Sequence, residues 1–232
     1  MTDAFAIPRR LALVRTQIRG FCLAAGRPAD AVRLLAVSKQ QPAAAVRAAY
    51  AAGQRAFGEN RVQELAAKAR ELADLPGLRW QMIGSLQTNK VRDLVGVEGL
   101  ELLHSLDRAR LADELQRELE RVGRRLDVLL QLHMTDEAAK HGCAPAEAPA
   151  LVEHVQARCP ALRLEGVMAM GPLDGDPAPT FAAVAALHDE LRRRTGLPLP
   201  IRSLGMSGDL EAAIAAGSTL VRIGTAVFGP RG

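Results

Sequence analysis

The sequence predicts an α/β protein folded as a single (β/α)8 TIM barrel over residues 1–232. Three observations carry this prediction. Short apolar runs alternate with longer amphipathic ones along the whole chain, and the apolar runs number eight. Runs such as "LDVLLQL" are apolar at nearly every position, as parallel strands covered by helices on both faces must be. An alternating strand–helix order of this kind closes into a barrel or opens into a doubly wound sheet. The eightfold count favours the barrel, which at 232 residues is compact for the class.

The first strand is expected at Arg33–Ser38, and Pro42 then starts a helix over Ala43–Ala52 that Gly53 stops. The second strand is Arg55–Phe57, with a helix over Arg61–Leu72. The third is Trp80–Ile83 and the fourth Leu100–His104, followed by a helix over Arg108–Val122. The fifth, Leu126–Leu132, leads to a helix over Pro145–Arg158. The sixth, Leu164–Met168, leads to Pro179–Arg194, whose closing arginines suit a helix C-terminus before Gly196. The seventh, Ile201–Leu204, precedes a short helix over Leu210–Ala216, with Asp209 as N-cap candidate and Gly217 as its stop. The eighth is Thr219–Ile223. The segment "GPLDGDPAPT" is rich in Pro and Gly but falls between a strand and a helix, so it reads as a βα loop, not a domain linker.

Apolar residues make up 48% and aromatics only 3%, so the core must be built from Ala, Leu and Val. The net charge of +4 comes from arginines scattered along helical stretches, which gives no reason to expect nucleic-acid binding. Three cysteines without a CxxC argue against a disulfide framework or a zinc ribbon, and no metal is expected. No run approaches the ~18 apolar residues of a membrane span, and the N-terminus lacks a signal-peptide core. These features predict a cytoplasmic protein.

The stretch "LLAVSKQQP" ends an apolar strand on Lys39. The chain has four lysines, at 39, 68, 90 and 140, against 26 arginines. Arginine stays protonated in proteins, whereas a desolvated lysine becomes a nucleophilic amine. Taken alone, a solvated lysine at a strand end is the plainer reading. A barrel changes that, because active groups sit at the C-terminal ends of its strands. Asn60, the "GSLQTNK" loop, His104, Met168, Ser207 and Gly224-Thr225 fall at equivalent places and would share one mouth with Lys39. Ser207-Gly208 and Gly224-Thr225 follow strands seven and eight, where barrels often bind phosphate. An amine beside a phosphate site suggests a phosphorylated carbonyl compound: a sugar-phosphate aldolase or a protein of pyridoxal 5′-phosphate (PLP).

The segments "LLAVSKQQP", "FGENRVQE", "WQMIGSLQTNK", "LLHSLDR", "LEGVMAMGP", "SLGMSGDLEAAIAAGST" and "VRIGTAVFG" together resemble the YggS/PROSC family of PLP homeostasis proteins, in the family's order from residue 34 to 229. The resemblance implies a barrel like the N-terminal domain of alanine racemase. It makes Lys39 the aldimine lysine and sets Ser207, Gly208, Gly224 and Thr225 around the phosphate. Arg222 would face the pyridine nitrogen, and Asn60 would lie near the lysine. Ile83 and Met206 would flank the ring, and His104 would lie in the floor of the site. In "HMTDEAAKHG" the chain departs from the family pattern at His133 and His141, which puts any role carried over to residue 133 in doubt; Lys140 still matches, and reads more plainly as a surface lysine of a βα loop than as a transient acceptor of PLP.

An arginine at the pyridine nitrogen leaves the ring a weaker electron sink than an acidic partner would. The racemase's second base is a tyrosine, and Tyr50, the only tyrosine here, is expected on the outer ring. The resemblance therefore implies a PLP-holding protein in vitamin B6 and amino-acid homeostasis without robust catalysis, with PLP-dependent apo-enzymes as recipients. A weak amino-acid racemase is the alternative. A monomer is expected.

Overall fold

A computed structural model describes residues 6–134 and 141–230. Eight parallel strands close into a barrel in the order β1 to β8. They are β1 (Arg33–Val37), β2 (Ala56–Glu59), β3 (Arg79–Met82), β4 (Leu100–Leu106), β5 (Leu126–Gln131), β6 (Leu162–Met168), β7 (Ile201–Ser203) and β8 (Leu220–Ile223). Closure is direct: Arg33 to Ala36 of β1 stand in register with Leu220 to Ile223 of β8. The open-sheet arrangement is thereby excluded.

The outer layer holds α2 (Ala43–Ala51), α3 (Val62–Glu71), α4 (Val91–Val95), α5 (Ala109–Arg121), α6 (Ala148–Arg158), α7 (Ala178–Thr195), α8 (Leu210–Ala215) and α9 (Thr225–Phe228). Another helix, α1 (Ile7–Ala24), precedes the first strand and was not among the expected elements. Its buried residues Ile7, Leu11, Val14, Ile18 and Cys22 recur at helical spacing and pack into the main core. Each fully buried Leu or Ile of that stripe contributes about 1.5–3 kcal/mol. No described helix is long and apolar enough to cross a membrane.

The stops work as the sequence requires. Gly53, Gly196 and Gly217 have φ of +84°, +70° and +87°, the left-handed conformation that ends a helix cheaply only at glycine. Arg192, Arg193 and Arg194 occupy the last turn of α7. Asp209 holds the N-cap position of α8, but its carboxylate accepts from the Met206 N–H (2.5 Å) and so shapes the loop instead of capping the helix.

Two cores result. The larger lies between barrel and helices. The smaller fills the barrel itself with Leu35, Leu102, Leu129, Met168, Ile201 and Leu220. Polar side chains lie on the same inward faces, above and below that plug, and they define the two mouths.

Candidate functional site

A cavity of about 470 Å³ opens at the C-terminal mouth. Lys39, Asn60, Ile83, Met206, Ser207, Gly208, Arg222, Gly224 and Thr225 all line it. These residues come from the ends of β1, β2, β3, β7 and β8, and parallel closure is what brings them together. A volume of that size suits one cofactor-sized ligand.

Lys39 is held from behind. Strand β1 stops at Val37, and the backbone turns through Gln40 at φ +60°, a conformation costing a non-glycine residue roughly 1–2 kcal/mol. Three side chains fix this turn. Lys68, buried on α3, donates to the Ser38 carbonyl, to Glu59 Oε1 and to Glu64 Oε1, each at 2.7 Å. Ser38 Oγ donates to the same Glu59 oxygen at 2.6 Å, and the Gln40 N–H donates to Glu64 Oε1 at 2.5 Å. Glu59 is fully buried, and burial pushes its carboxyl above the usual range against the pull of Lys68 and Ser38. Its second oxygen, Oε2, has no partner among the described residues. Burial also works against the Glu64 carboxylate, but its bonds to Lys68 and to the Gln40 N–H prevail and hold it below its ordinary value. The lysine on the buried stripe Val62–Leu65–Lys68 was legible as an anomaly, because charge on an apolar helical face needs buried partners.

The loops after β7 and β8 form the opposite wall. The N–H groups of Ser207 and Gly208 have no acceptor among the described residues, and Thr225 opens α9, so its N–H lacks an intrahelical one. With two hydroxyls beside them, these donors fit an anionic group. Gly84 supplies a close approach on the third side: a Cβ there would fall 2.2 Å from the Asn60 carbonyl oxygen.

Arg222 rises from the floor. Its guanidinium donates to the Ser203 carbonyl (2.5 Å), to Ser203 Oγ (2.8 Å) and to the Ala169 carbonyl (2.9 Å). Burial lowers its pKa to about 10, so it stays cationic at neutral pH. Below it a hydrogen-bonded chain runs down the barrel axis. His104 Nδ1 meets Ser203 Oγ at 3.1 Å and Nε2 meets Gln81 Oε1 at 2.8 Å, while Gln81 Nε2 donates to Glu101 Oε2 at 3.0 Å. That last bond orients the Gln81 amide, so His104 Nε2 must carry the proton and Nδ1 must accept from Ser203. The imidazole is neutral, and burial, Arg222 and Arg33 together hold its pKa well below 6.5.

His104 therefore does not line the cavity. Strand β4 runs two residues past the end expected at position 104, so the histidine faces the interior one layer down, on the same face as Leu102. It orients Ser203, and through it Arg222. Tyr50 lies outside the mouth, donating to the Pro76 carbonyl (2.8 Å) under the Arg55 guanidinium. Lys140 falls outside the described residues.

The cavity also contains residues not expected as ligands. Gln131, at the end of β5, donates to the His141 carbonyl at 2.7 Å, and its buried Oε1 has no partner among the described residues. Its sign in the sequence was a glutamine closing the apolar run Val128–Leu130. The chain returns beside β5 through reciprocal bonds, Cys143 N–H to Gln131 and His133 N–H to Cys143, and this puts His141 on the cavity wall. No Asp, Glu, Tyr or Cys is among the described residues lining the cavity.

Comparison with known proteins agrees with this geometry. The family described as alanine racemase, N-terminal domain, matches residues 16–232. The pyridoxal phosphate homeostasis protein of Pseudomonas aeruginosa is 48% identical over 97% of this chain and 96% of its own length. The human protein of the same name is 41% identical over 88% of this chain and 78% of its own. Among solved structures, PipY of Synechococcus elongatus with PLP bound superimposes with a TM-score of 0.84 at 39% identity, over 96% of this chain and 100% of that one. Alanine racemase of Corynebacterium glutamicum, at 18% identity and a TM-score of 0.73 over 99% of this chain and 62% of that one, shares the fold. The chain belongs to the family of pyridoxal phosphate homeostasis proteins.

Proposed function

From that membership we propose that the chain binds PLP at the C-terminal mouth and takes part in intracellular PLP and amino-acid homeostasis, without robust turnover. When bound, PLP supplies an aldehyde that condenses reversibly with a primary amine and releases water. Lys39 provides the amine. Ser207, Gly208, Gly224 and Thr225 hold the phosphate with loop N–H groups and hydroxyls. Ile83 and Met206 flank the ring, Asn60 stands beside the lysine, and Arg222 meets the ring nitrogen.

One observation carries the non-catalytic part. The group that this reading sets at the ring nitrogen is a buried arginine braced by two carbonyls and a serine, and no carboxylate is among the described residues lining the cavity. A guanidinium donates a hydrogen bond to the ring nitrogen but does not hand over its proton. The cofactor then has a secure seat and little electron-withdrawing power. The protein keeps a reactive aldehyde out of solution and yields it to PLP-dependent apo-enzymes. We place it in the cytoplasm as a monomer; its three cysteines are buried and free, which fits a reducing compartment.

Titration of the purified chain with PLP tests this reading. Stoichiometric uptake, transfer to an apo-enzyme and no turnover of D- or L-alanine are expected. Robust racemisation would overturn it. The alternative, a weak amino-acid racemase, has one observation in its favour: His141 lines the cavity and could serve as a second base. If any racemisation found is unchanged in His141→Ala, that role is lost.

A further inference from the structure

The opposite end of the barrel carries a second cavity, of about 350 Å³, roofed by α1. Five arginines line it: Arg15 and Arg19 from α1, Arg33 and Arg79 from the first residues of β1 and β3, and Arg55 from the turn before β2. Two acids, Asp30 and Glu101, face them. The cavity thus carries three excess positive charges, most of the +4 of the whole chain.

The charges are unevenly satisfied. Arg55 donates to two backbone carbonyls over the Tyr50 ring, and Arg79 pairs with Glu101 at 3.3 Å. Arg15 reaches the Ala52 carbonyl and Gln54, and its pKa is lowered by burial and by the charge of Arg19. The side chains of Arg19 and Arg33 make no hydrogen bond or ion pair with any described residue. Arg33 stands at the axis, close enough for its charge to act on His104. The N-terminal face of such a barrel ordinarily serves stability. Like charges gathered in a concavity oppose stability, and they acquire a purpose when an anion enters among them.

We propose that this mouth is a binding site for a small multivalent anion carrying phosphate or carboxylate groups. Guanidinium forks match both groups in a bidentate way, and a concave site concentrates their field. The cavity shares no lining residue with the one that holds Lys39.

The test is calorimetric titration of the full chain with inorganic pyrophosphate and, separately, with citrate, at low salt, with and without saturating PLP. One equivalent of at least one probe should bind whether or not PLP is present, and the tighter of the two names the chemistry. The double variant Arg19→Gln/Arg33→Gln should weaken binding by about tenfold or more. Asp30→Asn should tighten it, since one repelling charge is gone. Pyrophosphate that PLP displaces would belong to the cofactor cavity. That result, absence of binding by both probes, or unchanged affinity in the double variant would each overturn the proposal. A chain that takes up no PLP would sink the cofactor reading and leave this test intact.

Discussion

At the C-terminal mouth the buried cation Arg222 is braced by three bonds to the protein, and Lys68 behind Lys39 by three more. At the N-terminal mouth five arginines share two acids, and two of the five bind nothing described. The first arrangement fixes geometry. Both cations there have a set direction before a ligand arrives, as a site needs when it must seat one reactive aldehyde against one amine. The second arrangement leaves donors in water and offers field more than shape. The two mouths are joined by the chain Arg222–Ser203–His104–Gln81–Glu101, in which every donor points from the cation at one end towards the carboxylate at the other.

The sharpest way to break the comparison is to loosen the braced end. Lys68→Met would strip the buried Glu59 of its cation and leave the Ser38 hydroxyl as its one donor among the described residues, at a cost of about 3–5 kcal/mol read by urea unfolding. PLP loading should slow as the Ser38–Gln40 turn loses its anchor. Adding Glu59→Leu should restore most of the stability, because an apolar pair replaces a buried ion pair at little net cost. If Lys68→Met were as stable as the parent chain, the clamp would not exist.

Gly84→Ala tests the shape of the cavity. A Cβ 2.2 Å from the Asn60 carbonyl must displace backbone at the mouth, costing about 1–3 kcal/mol and weakening PLP uptake. An alanine variant with parent-like affinity would show that this wall is soft.

His104 gives a smaller effect, read against pH. Its folded pKa lies well below the ordinary 6.5, so the unfolded chain takes up a proton that the folded chain refuses. Its contribution is therefore complete above about pH 6.5 and is lost as pH falls through the range below. His188, whose pKa is lowered chiefly by burial, acts in the same direction. His104→Gln should flatten the fall in melting temperature between pH 7 and pH 5 without abolishing it. An identical slope would mean that the imidazole is not held neutral.

At the open mouth the same kind of change should do least. Arg33→Gln is expected to shift stability by no more than about 0.5 kcal/mol, because its side chain supports nothing described.

The sequence made the braced mouth readable because a parallel barrel sends every strand end to one face. Once eight runs alternate with helices, Lys39, Asn60, Ser207 and Thr225 converge by topology alone. Depth was harder to read. Two further residues of β4 moved His104 from the cavity floor to the layer beneath, since strand ends depend on ladder pairing that composition does not reveal. Lys68 and α1 carried visible signals, a charge on an apolar stripe and a helical repeat from Ile7 to Cys22. The arginine cavity carried none. Its members at positions 15, 19, 33, 55 and 79 look like ordinary helix and loop charges until closure sets them side by side.

The most direct measurement of the central claim is the visible spectrum of PLP-loaded protein before and after borohydride, beside Lys39→Ala. The account predicts a band in the parent chain that borohydride bleaches and fixes to Lys39, and no such band in the variant. A parent chain that stays colourless with added PLP, or a variant with the same reducible band, would contradict it.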